Sequence, residues 1–136
     1  MSDIRKFAVE ETSILELRGP DDAPMVGDDK LPMTVTVYGP GSKTYAKAQA
    51  ANQNRMIDKL KRKGKTDQSA EEKAREQADF LAGCTKEFSA NIEYDGLKGD
   101  ALFKAVYADT SIGFIAEQVG KHIGDWANFS TASAKV

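Results

Sequence analysis

The chain is poor in the residues that usually carry catalysis or covalent cross-linking, with one cysteine (Cys84), one histidine (His122) and one tryptophan (Trp126). A lone cysteine excludes an internal disulfide and cannot by itself hold a structural zinc. A lone histidine leaves general acid–base chemistry to carboxylates in perturbed environments. No apolar run approaches the roughly 18 to 20 residues needed to span a bilayer, and Met1-Ser2-Asp3-Ile4-Arg5-Lys6 lacks the apolar stretch of a secretory signal. The expectation is a soluble, cytoplasmic protein with no membrane partner.

What is present fits one core. The 136 residues are 40% apolar and 29% charged, so the chain is long enough for a single domain and too apolar for wholesale disorder. The net charge of -2 hides strong segregation. Residues 1–42 carry eight acids and four bases, residues 43–65 eight bases and one acid, and residues 66–100 nine acids and four bases. The basic block is densest over Arg55, Lys59, Lys61, Arg62, Lys63 and Lys65. Clustered cations displace counterions from phosphates, but no aromatic interleaves the run to stack on bases. The same charges suit a helix C-terminus ahead of Gly64, or an acidic surface on a sister copy.

Periodicity places the elements. Leu15-Glu16-Leu17-Arg18 alternates within an apolar-containing stretch, residues 4–18, that predicts one or two short strands. Gly19 to Asp29 is loop chemistry, with acids but no EF-hand spacing. Met33, Val35 and Val37 against Thr34, Thr36 and Tyr38 form the clearest strand, over 31–38. Gly39-Pro40-Gly41 breaks it, and Ser42 is placed to cap a helix from Lys43 to about Lys63. Ser69 would cap a second helix, from Ala70 to about Lys86. Both have alanine-rich faces and predict an antiparallel pair. Asp95-Gly96 marks a turn. A short helix follows Asp100, then a last helix from near Thr110 in which Phe114, Ile115, Val119, Ile123, Trp126 and Phe129 recur at helical spacing. The fold class is α+β: a small N-terminal antiparallel sheet followed by four helices, in one domain over 1–129, with a polar C-terminal tail over 130–136 that frays.

Searches for chemistry come back thin. A phosphate-binding loop ending at Lys43-Thr44 would need glycines where Val37 and Ser42 stand. His122 sits about one turn from Gln118 and Asp125, which predicts a surface hydrogen bond, and Cys84 reads as a small hydrophobe. No catalytic, metal or cofactor residues emerge, so the expectation is a non-enzyme. The last helix offers core positions at Ile115, Val119, Ile123 and Trp126. Phe114, off the stripe centre, and Phe129, at the frayed end, are the candidate partner contacts.

The order of these pieces resembles a known family. A Leu15-x-Leu17 strand and an acidic loop lead to a strand ending Val37-Tyr38-Gly39-Pro40-Gly41-Ser42. A Tyr45-x-x-Ala48 helix with Asn54-Arg55 and a charged helix come next, then Ile92-Glu93-Tyr94-Asp95-Gly96, Val106-Tyr107-Ala108-Asp109, Glu117-Gln118-Val119 and Asn128-Phe129. Over residues 12–129 this looks like the tail assembly chaperones of long-tailed, siphovirus-type bacteriophages. The resemblance implies a protein of the infected host's cytoplasm, absent from the mature virion, that coats the tape measure protein and keeps it soluble until tube subunits polymerise around it. Longer frameshifted forms are typical of such families. A holdase of this kind acts in many copies, and Arg55, Lys59, Lys61, Arg62 and Lys63 of one copy would face acidic segments of the next in a homo-oligomer or open array. The alternatives are a nucleic-acid-binding accessory protein using residues 55–65, and a structural tail or connector component.

Overall fold

The computed structural model describes residues 3–63 and 70–130. Three strands, β1 (Thr12–Glu16), β2 (Thr34–Tyr38) and β3 (Thr85–Phe88), form an antiparallel sheet in the order β1-β2-β3. Four α-helices accompany it: α1 (Lys43–Lys63), α2 (Ala70–Gly83), α3 (Gly99–Ala108) and α4 (Gly113–Gly124). Single 3₁₀ turns occupy Ile4–Phe7, Thr110–Ile112 and Trp126–Phe129. The α+β class with a small antiparallel sheet is therefore as expected, and β3 is an addition to it.

The sheet has two unlike faces because strand side chains alternate. Leu15, Val35, Val37 and Phe88 point toward the helices, and Val35 and Val37 are fully buried. Around them gather Leu81 of α2 and Cys84 just after it, Leu102, Phe103, Val106 and Tyr107 of α3, and Ile115, Val119 and Ile123 of α4. The opposite face presents Thr12, Ile14, Glu16, Thr34, Thr36 and Glu87, all at least partly exposed.

The helical hairpin follows from its small residues. Ser42 caps α1: its Oγ accepts from the Tyr45 N–H at 3.1 Å and donates to the Gly39 carbonyl at 2.8 Å. A Cβ on Gly83 would stand 3.1 Å from the Ala48 Cβ, so α1 and α2 meet there on alanine and glycine. Tyr45 and Phe80 close the same end edge to face at 5.8 Å. The expected cap at Ser69 lies outside the described residues.

The second helix ends at Gly83, three residues before the expected Lys86. Thr85-Lys86-Glu87-Phe88 instead pairs with β2 through a register shift beside Thr36 and Val37. Thr85 Oγ1 donates to the Leu81 carbonyl at 2.8 Å and takes a 2.7 Å hydrogen bond from Tyr107. Desolvation raises the Tyr107 phenol well above its ordinary value, so it stays a neutral donor. This pair anchors the start of β3 to α3.

Two further departures concern the ends of the domain. Ile4–Phe7 is a 3₁₀ turn capped by Asp3, not a strand, and Ile4 and Phe7 are exposed. The last helix stops at Gly124, and the Asp125 side chain caps a separate turn by accepting from the Ala127 N–H at 3.0 Å. That break reverses the expected roles of two aromatics. Phe129 is 1% exposed and belongs to the core, whereas Trp126 is 56% exposed. Phe129 fills the space over Gly39, where any Cβ would come within 2.4 Å of its ring, and its carbonyl accepts from the Glu10 N–H at 2.8 Å.

Phe129→Ala should therefore cost roughly 3–5 kcal/mol, and Gly39→Ala roughly 1–3 kcal/mol through overpacking. Trp126→Ala should shift stability by only about 0.5 kcal/mol. Urea unfolding of the three variants checks this order.

Candidate binding surfaces

Four places on the molecule have the geometry to meet a partner or do chemistry. The first is the far half of α1. Met56, Ile57 and Leu60 lie within one turn and are 46%, 48% and 45% exposed. Together they make an exposed apolar row on the last turns of α1. It lies inside the basic segment, yet the five expected self-association residues do not behave alike. Arg55 is committed within its own chain, its guanidinium 3.9 Å from Asp79 and 3.4 Å from the Asn52 side-chain oxygen. Lys61 is exposed. Lys59, Arg62 and Lys63 belong to α1 by backbone, and their side chains lie outside the described residues, as do 64–69.

The second is a cleft of about 630 Å³ between β3, the 89–98 connection and the start of α3. Phe88, Ile92, Leu97, Leu102 and Phe103 supply apolar walls, with Lys86, Glu87, Glu93 and Lys98 around them. The connection is well tied. Asn91 donates to the Leu31 carbonyl at 2.9 Å, and the Tyr94 hydroxyl donates to Asp109 at 2.8 Å. Tyr94-Asp95-Gly96-Leu97 closes on a 3.0 Å bond with positive φ at Asp95 and Gly96, the turn that its Asp-Gly pair predicts.

The third is the free side of β1, where two shallow recesses of about 540 and 310 Å³ run along the strand. His122 belongs to both. Instead of a surface bond to Gln118 or Asp125, its Nε2 meets Ser13 Oγ at 2.9 Å, and its ring packs edge-on to Phe129 at 5.7 Å. Serine beside histidine is the beginning of a nucleophile–base pair, which needs a third group to orient the imidazole. Asp125, whose charge does reach the ring, is occupied in capping the Trp126–Phe129 turn. We read the pair as a tie between β1 and α4, one that sequence separation hid.

The fourth is the segment from the start of α4 to the Trp126–Phe129 turn. Phe114 is half-buried and packs against the core, and Phe129 is inside it. The two do not form a joint exposed site. Cys84 is fully buried, and burial pushes its thiol up to about 12, as suits a small hydrophobe. Among the described residues no group of three or more histidine, cysteine, aspartate or glutamate side chains could hold a metal ion, and no helix is long and apolar enough to cross a membrane.

Comparison of the chain with protein-family models, with curated proteins and with solved structures finds no match in any of the three. The surfaces themselves therefore carry the functional argument.

The His122 tie has a pH signature. Desolvation lowers its pKa below the ordinary 6.5, and Asp125 offsets only part of that shift. The neutral ring is the folded form, so its contribution is complete above the unfolded value and is lost as pH falls through the lower folded value. Unfolding midpoints in urea should drop from pH 7 to pH 5 for the wild type. His122→Gln should flatten that slope.

Proposed function

We propose that the protein is a tail assembly chaperone of a long-tailed bacteriophage, which holds the tape measure protein soluble in the host cytoplasm and is shed before the virion matures. The observation that carries this reading is the exposed Met56, Ile57 and Leu60 row on α1, set in a segment with eight bases and one acid. Such a surface fits a partner of definite chemistry: an amphipathic helix with an apolar stripe and acidic flanks. A tape measure protein, long and rich in helix, offers that element many times over. The apolar row supplies affinity by burial, at about 25 cal/mol per Å². The surrounding cations supply steering and register.

The order of elements from β1 to Phe129 supports the same reading. Phe129 does not serve as a capture contact, because it is buried. The chaperone reading also explains why the basic segment keeps large apolar residues exposed, whereas phosphate binding alone has no use for them.

Co-expression with the tape measure protein tests the proposal. The wild type should keep that protein in the soluble fraction. Replacing Met56, Ile57 and Leu60 together by serine should send it to the pellet, while the variant's own melting midpoint stays within a few degrees of wild type. Full client solubility with the triple variant would remove α1 from the site. Binding of duplex DNA that weakens with salt would favour the nucleic-acid reading, and recovery of the protein in purified virions would favour a structural tail component.

A further inference from the structure

The two edges of the sheet are protected very differently. At β3 the strand is four residues long, carries a register shift and presents Lys86 and Glu87. Bulges and charges of this kind are how edge strands avoid self-pairing. A two-fold pairing centred on either middle residue would also oppose Lys86 to Lys86 or Glu87 to Glu87. The β1 edge has no register shift, and the chain covers it only at its two ends.

The hydrogen-bond phase of β1 is set at both ends. The Leu17 N–H bonds to the Met33 carbonyl and the Gly39 N–H to the Glu11 carbonyl, so odd-numbered residues face β2 and even-numbered ones face outward. Two outward positions are covered by the chain itself. The Glu10 N–H goes to Phe129. The Gln118 side chain accepts from the Arg18 N–H at 2.8 Å and donates to the Arg18 carbonyl at 2.6 Å. Between them, the outward N–H and C=O groups of Thr12, Ile14 and Glu16 enter no hydrogen bond among the described residues. Ile14 stands at the centre of this window, 66% exposed.

We propose that the β1 edge is a two-fold dimerisation surface, in which β1 pairs antiparallel with β1 of a second copy about Ile14. The window is self-complementary. Ile14 meets Ile14, Thr12 meets Glu16 of the second copy, and each pair exchanges two backbone bonds. Pairing ends at Thr12 and Glu16, because Phe129 and Gln118 occupy the edge at Glu10 and Arg18. A register slip of two residues breaks the Ile14 contact and runs the second strand into a covered end of the window. The product is a continuous six-stranded sheet with β3 at its guarded outer edges. This interface is isologous and closed, unlike a charge-driven open array. It rests on the sheet alone and is independent of the tail-assembly reading.

Sedimentation and cysteine cross-linking of the full chain test it. The wild type should show a concentration-dependent monomer–dimer equilibrium, and Ile14→Lys, which places two like charges on the axis, should weaken it at least tenfold. Ile14→Pro should do the same with β1 still paired to β2, because the Ile14 N–H points away from β2. Ile14→Cys should form a covalent dimer under mild oxidation, since hydrogen-bonded partners place their Cα atoms about 5.5 Å apart. Thr12→Cys alone should not cross-link, but mixed with Glu16→Cys it should. Cys84 is buried and does not compete. A wild type that remains monomeric at all concentrations would overturn the proposal. So would self-association unchanged by Ile14→Lys, or a Thr12→Cys protein that cross-links as readily as Ile14→Cys.

Discussion

The packing of Phe129 against Gly39 is the contact on which the arrangement of both chain ends depends. Glycine at the end of β2 leaves a space that no other residue would leave, and the last aromatic of the described chain fills it. Once the ring is seated, its carbonyl reaches the Glu10 N–H, its edge meets His122, and His122 in turn reaches Ser13. The Asp125 cap then sets the turn that leaves Trp126 outside. A local absence of side chain thus governs the entry to β1, the exit from α4 and the burial of the single histidine.

The sheet supplies the second organising constraint. Three short strands cannot bury two faces, and this sheet commits one to α2, α3 and α4 and gives the other to threonine and charge. Three strands also leave two edges, and an edge is a row of unsatisfied donors and acceptors. Irregularity and charge close off β3. At β1, Phe129 and Gln118 cover the two ends and leave the centre open. Gln118 holds both backbone groups of Arg18 with one planar amide, so the open window has a defined length.

Two of the places where the domain keeps apolar side chains exposed, the α1 row and Ile14, lie on different elements and serve different partners in our reading. Charge segregation acts in the same sense, although part of the basic segment is answered within the chain by Asp79. A surface ion pair of this sort is worth little in stability, about 0–1 kcal/mol. Its effect is to hold Arg55 against α2.

Local sequence was enough for the class, the β2 alternation, the Ser42 cap, the alanine-faced hairpin and the Asp95-Gly96 turn. Each of these rests on residues a few positions apart, where backbone geometry and side-chain period act directly. It did not reveal β3, because Thr85-Lys86-Glu87-Phe88 has one large apolar residue, and its pairing energy comes from β2, about fifty residues away. Nor did it distinguish Trp126 from Phe129, which share a helical stripe until the Asp125 cap breaks the helix and Gly39 selects the ring that fits. Ser13 and His122 are 109 residues apart, and no local pattern relates them. The basic segment was visible as charge, but its exposed apolar row was not, since helical periodicity marks a stripe without saying whether another element covers it. Whether a stripe becomes core or contact surface is decided by which elements the chain brings to it, and that is a property of the tertiary structure alone.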